Sequence, residues 1–110
     1  MEYESTRRTP RHSLVVDIEV TDVQSKIQIR GQTRELSLSG CGMEALRLFP
    51  KGTSVRITMS HKGTEVKAFA RVVYASADLG MGFAFTNIDG EDEYILEWWF
   101  AELQSASTLE

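Results

Sequence analysis

Apolar and polar residues alternate from Leu14 to Val20, with Val16, Ile18 and Val20 set against Asp17 and Glu19. A period of two sends successive side chains to opposite faces of a strand, so this segment predicts a half-buried first strand. Ile27 and Ile29 alternate with Lys26, Gln28 and Arg30, and Gly31 then reads as the turn of a hairpin before a further alternating run from Thr33. In Arg34-Glu35-Leu36-Ser37-Leu38-Ser39-Gly40 the same alternation sends both leucines to the core and Glu35, Ser37 and Ser39 outward. Thr33 is expected to face solvent with Ser39. Cys41 to Leu46 resumes a strand, Pro50-Lys51-Gly52 marks a loop, and Val55, Ile57 and Met59 lead to a turn at His61-Lys62-Gly63. From Glu65 to Ala75, Val66, Ala68, Ala70, Val72 and Tyr74 share one face, and Gly80 to Phe85 forms the final strand.

Short strands at this regular spacing predict a closed barrel or sandwich. The pattern changes after Asp89, which caps a helix with acids in its first turn; Ile95, Leu96, Trp99, Phe100 and Leu103 form a stripe suited to packing on the sheet. Tyr94 and Trp98 flank that stripe and are expected to pack with it rather than to form a partner surface. The chain thus divides into a flexible Arg-rich tail over 1–12, a barrel with its terminal helix over 13–104, and a frayed end over 105–110.

At 110 residues with 42% apolar content, one domain can bury a core without metal or disulfide support. The lone cysteine, Cys41, reads as a small buried hydrophobe, and no Cys/His cluster suggests a metal site. No apolar run approaches the roughly 18 residues that span a bilayer, and the charged start is unlike a signal peptide, so a cytoplasmic location without membrane insertion is expected. A net charge of −4 argues against long nucleic acids, whose affinity depends on neutralising many phosphates. The charge is unevenly placed. Seven acids and no Lys or Arg follow from Asp89 onward, while Arg7, Arg8 and Arg11 crowd the tail, where they can hold a small anion.

Two pieces of the chain carry more specific information. Arg7-Arg8-Thr9-Pro10-Arg11 reads as RxxxR, and Glu35-Leu36-Ser37-Leu38-Ser39-Gly40 reads as [D/N]xSxxG with Glu in the first place. In this order, and followed by Gly80-Met81-Gly82-Phe83-Ala84-Phe85 and a terminal helix, they resemble the PilZ domain family over nearly the whole chain. The resemblance implies a mostly β fold, a six-stranded antiparallel barrel with a C-terminal α-helix, in a bacterial receptor that binds the second messenger cyclic di-GMP on its outer surface. It carries ligand contacts onto Arg7, Arg11, Ser37 and the backbone around Gly40, with Arg8 as a third arginine and Glu35 as the acidic member. This chain's departure from the family pattern, Glu35 in place of Asp or Asn, adds one methylene and shifts the carboxylate by about one bond length.

The chemistry of these side chains suits that ligand. A guanidinium forks onto phosphate, pairs with guanine O6 and N7, or stacks on a base, and a carboxylate accepts hydrogen bonds from guanine N–H groups. Gly40 leaves room for unusual backbone geometry or a close ligand. His12 reads as an exposed bystander, and His61, in a turn, pairs with no nucleophile or metal. With no paired-carboxylate motif and no phosphate-cradling Walker loop, no catalytic residue or cofactor is assigned. Two functions remain: a messenger-gated receptor acting on a downstream protein, with homodimerisation left open, and a nucleotide-independent adaptor of the same fold.

Overall fold

The computed structural model describes residues 14–109, with side chains described as far as Leu103. Six strands follow in chain order: β1 (Asp17–Asp22), β2 (Gln28–Leu36), β3 (Gly40–Met43), β4 (Ser54–His61), β5 (Thr64–Ser76) and β6 (Gly80–Ile88). A helix, α1 (Gly90–Leu109), ends the chain. Every pairing is antiparallel, and the order β1-β2-β3-β6-β5-β4 closes when β4 pairs with β1. Closure satisfies the backbone groups that a sheet edge would expose.

The alternation along the chain becomes the inside and outside of this barrel. Val16, Ile18, Val20, Val55, Ile57, Met59, Val66, Ala70 and Val72 are buried in one core with Leu36, Cys41, Met43, Met81 and Phe83. Two-residue turns close the β4–β5 hairpin: Lys62 (φ 51°) and Gly63 (φ 81°) both adopt the left-handed conformation that fits the twist of paired strands. At the β1–β2 turn the Gln24 amide donates to the Asp22 carboxylate, and this hydrogen bond holds the Asp22 pKa below its usual value.

The expected hairpin at Gly31 does not form. β2 runs unbroken from Gln28 to Leu36, and Gly31 sits in mid-strand opposite Ile18. The same strand serves two neighbours in succession, β1 through Gln28–Gln32 and β3 through Thr33–Leu36, so the glycine lies where the pairing changes partner. The strand expected over Cys41–Leu46 is likewise shorter, ending at Met43.

α1 packs along β5 through the predicted stripe. Leu96 and Trp99 are fully buried and Ile95 and Phe100 pack partly against the core, whereas Leu103 is 37% exposed. Trp99 Nε1 donates to Thr64 Oγ1 at 2.7 Å, and Thr64 Oγ1 in turn donates to the His61 carbonyl at 2.7 Å. The His61 ring meets Trp99 edge-on at 5.4 Å, so the helix is locked to the β4–β5 hairpin. Thr64→Val removes both hydrogen bonds and leaves the indole N–H unpaired, which is expected to cost about 1–2 kcal/mol, read as a lower midpoint in urea unfolding. Tyr94 and Trp98 overturn the expectation that they pack on the barrel: both project from the helix into solvent. Among the described residues no helix is long and apolar enough to cross a membrane.

Candidate functional site

The second motif falls where β2 leaves the sheet. β2 stops at Leu36, so Ser37, Leu38 and Ser39 form a turn instead of continuing the strand. The Ser37 amide donates to the Gly40 carbonyl at 2.9 Å, and the Ser39 amide donates to Ser37 Oγ at 3.2 Å. Ser37 Oγ also lies 3.3 Å from the Gly40 carbonyl and 3.2 Å from Ser39 Oγ. The expectation that Ser37 shares an outward face with Glu35 is therefore corrected. The residue is buried, because a serine hydroxyl that bonds its own backbone two residues on substitutes for strand pairing and closes a turn. Ser39 is exposed as expected, and its carbonyl accepts from the Phe85 amide at 2.9 Å, which pins the turn to β6.

Gly40 has a reason to be glycine that the sequence could not separate from ligand approach. A Cβ there would lie 2.1 Å from the Phe83 carbonyl oxygen, so β3 and β6 come together only because no side chain intervenes. Beside it Cys41 is buried, and its thiol pKa is pushed up to about 12, first by desolvation and then by the charge of Glu35.

Glu35 owes its position to a break in register. Thr33 pairs with Met43 and Glu35 with Gly42, leaving Arg34 as the extra residue of a β-bulge. The bulge turns Arg34 and Glu35 outward together while Thr33 and Leu36 both face the core. A Cβ on Gly42 would meet Glu35 Oε2 at 3.4 Å, Arg34 Nη2 at 3.5 Å and the Tyr74 hydroxyl at 3.2 Å, so these three side chains converge over that glycine.

Tyr74 was expected in the core with Val72. A second bulge, between Val72 and Tyr74, resets the parity of β5, so Ala75 takes the inward place opposite Met81 and Tyr74 turns out. Its ring lies against Gly82, where a Cβ would fall 2.0 Å from Cε2. Its hydroxyl accepts from Arg34 Nη2 at 2.7 Å, and Arg34 Nη1 donates to the Leu79 carbonyl. One arginine therefore ties β2 to β5 and to the β5–β6 turn. Arg71, exposed on β5, lies in register with Ala84 and through it with Gly40, two strand spacings or about 10 Å from the motif turn.

Thr33 overturns the reading of a solvent-facing strand residue, being buried at the point where the chain enters the barrel. Its hydroxyl accepts from the Val16 amide at 3.0 Å and donates to the Leu14 carbonyl at 3.1 Å, and its amide donates to the Val16 carbonyl at 2.9 Å. The side chain thus fastens the segment just after the arginine tail two residues from Glu35. Thr33→Val keeps the shape but orphans the buried Val16 amide, with an expected loss of about 1–3 kcal/mol in stability, visible as a lower thermal midpoint. Arg7, Arg8 and Arg11 lie outside the described residues.

Arg34, Tyr74, Arg71 and Thr33 were given no role in the site from the sequence. The adjacent opposite charges of Arg34 and Glu35 are the trace the first bulge leaves there; the others leave none. A separate cleft of about 660 Å³ opens between Gln28–Arg30, Glu44–Arg47 and the β5–β6 turn, and none of the predicted site residues lines it. Among the described residues no group of His, Cys, Asp and Glu is arranged to hold a metal ion.

A closed six-stranded antiparallel barrel with one terminal helix and a serine-clasped turn between β2 and β3 defines a small, mostly β domain. The PilZ domain profile matches residues 5–102, and the chain belongs to the PilZ domain family. The fold is similar to the PilZ domain of CeSA from a cellulose-synthesizing bacterium, with a TM-score of 0.68 at 23% identity over 86% of this chain and 98% of that one. It is also similar to the Bacillus subtilis inhibitor of motility MotI/DgrA, with a TM-score of 0.70 at 17% identity over 91% of this chain and 52% of that one. A search of curated proteins finds no match.

Proposed function

We propose that this PilZ domain is a receptor for cyclic di-GMP, which it holds between the arginine tail and the outer face around Glu35 and the Ser37–Gly40 turn. The observation that carries the proposal is the Thr33 anchor. It fixes Leu14 and Val16 beside β2, and an extended chain covers at most ~3.6 Å per residue, so Arg11 can lie no more than about 11 Å from Leu14, which is bonded to Thr33 two residues before Glu35. Arg7 and Arg8, further out, then reach the second phosphate or guanine of the same ligand. Ser37 acts chiefly by shaping the turn, and Glu35, turned out by the bulge, faces the guanine edge. Ordering of the tail on binding changes the surface offered to a downstream protein.

Isothermal titration of the full chain with cyclic di-GMP tests this directly. Saturable heat with a defined stoichiometry supports the receptor; an absence of heat at tens of micromolar protein removes it and leaves the adaptor. The adaptor reading has one observation in its favour, the Glu in place of Asp or Asn at position 35.

A further inference from the structure

The outer face of α1 combines two exposed aromatics with flanking acidic residues. At 100° per residue, Tyr94 and Trp98 stand one turn apart and roughly opposite the buried Leu96 and Trp99. Tyr94 is 69% exposed and Trp98 42%. Glu91 precedes them and Glu102 follows on the same side, and Glu97 borders them, all exposed. Asp92 turns the other way and accepts a hydrogen bond from the Lys67 amide at 3.2 Å. From Asp89 onward the chain has no Lys or Arg to neutralise this border.

We propose that this Glu91–Tyr94–Trp98–Glu102 stripe is a docking surface for a basic segment of another protein, one that places an arginine or lysine over the indole and pairs it with the flanking carboxylates. A cation is attracted to the face of Trp or Tyr, and a neighbouring carboxylate adds a charge-assisted hydrogen bond to the same group. Large aromatics of this kind are the residues on which interface affinity concentrates. The charge selects among occupants. In a two-fold contact between copies of this chain, the same patch would face itself and set Glu against Glu. Nucleic acids and anionic membranes repel the face for the same reason. The surface lies on α1 and uses none of the residues of the Glu35 face or the Ser37–Gly40 turn, and the inference stands whether or not cyclic di-GMP binds.

The test places a photo-crosslinking phenylalanine analogue at position 94 or 98 of the full chain in its native cells, with the same analogue at the exposed Gln24 of the β1–β2 turn as control. The expected result is one protein crosslinked from both helix positions, its joined peptide carrying an excess of Lys and Arg. The purified pair should then lose roughly tenfold or more in affinity on Trp98→Ala or on Glu102→Lys, and weaken when salt rises from about 0.1 to 0.5 M. Should Trp98→Ala prove poorly folded by circular dichroism, Glu102→Lys, an exposed-site change, decides alone. Adducts no stronger than the Gln24 control, adducts to a second copy of this chain, a joined peptide without basic excess, or full affinity in Glu102→Lys would each overturn the proposal. Repeating the binding with and without the messenger separates this surface from the receptor site.

Discussion

Replacing Arg11 by Ala is expected to weaken cyclic di-GMP binding by about one to two orders of magnitude, since a hydrogen bond to a charged group contributes roughly 1.5–3 kcal/mol and each 1.4 kcal/mol is a decade. The position is chosen for its distance from the Thr33 anchor. Arg11 lies three residues before Leu14, so it has the shortest path of the three arginines to the Glu35 face. Arg11→Lys separates charge from geometry: an ammonium restores the charge but not the planar fork, and an intermediate affinity is expected. Both variants should melt with the wild type, because the tail precedes the first strand of the core. Titration calorimetry read beside thermal melts checks the pair of statements. Equal affinities in wild type and Arg11→Ala would remove the tail from the site and with it the receptor mechanism proposed above.

The largest stability effect is expected at Gly40. A methyl group there would be driven into the Phe83 carbonyl at 2.1 Å, and both partners are backbone, so neither side can move aside by a rotamer change. Overpacking of a well-filled interior typically costs ~1–3 kcal/mol, and a clash with sheet backbone belongs at the upper end. For a domain of this size each kcal/mol lowers the melting midpoint by about 4–8 °C, so Gly40→Ala should fall by roughly 10–20 °C. Gly90→Ala supplies the internal comparison. It opens the helix with nothing within 4 Å of the added atom, and Ala there should be neutral or stabilising by about 0.4–1 kcal/mol. If Gly40→Ala melted with Gly90→Ala yet bound messenger poorly, Gly40 would owe its identity to ligand approach instead of to the β3–β6 contact.

Arg34 ties the candidate site to the rest of the barrel. Its guanidinium converges with Glu35 over Gly42 on one side and holds the Tyr74 hydroxyl and the Leu79 carbonyl on the other. Under the proposed function, a ligand phosphate drawn to that face would compete for the same donors.

How far the sequence carried this protein is seen best along β5 and β2. Alternation alone determined that Val66, Ala68, Ala70 and Val72 face inward, because a side-chain period of two leaves a one-sided apolar strand a single orientation against the core. The helical stripe of Ile95, Leu96, Trp99 and Phe100 was legible from its own period of about 3.6, with only Leu103 left exposed, and the paired motifs carried the family. Tertiary pairing decided the rest. Bulges at Arg34 and before Tyr74 each insert one residue against a partner strand, and a parity change of that kind is set by what the opposite strand offers rather than by the local pattern. The same holds for Ser37 and Thr33, whose hydroxyls could equally have faced water: burial became favourable only once Gly40, Val16 and Leu14 were brought within hydrogen-bonding reach by closure of the barrel.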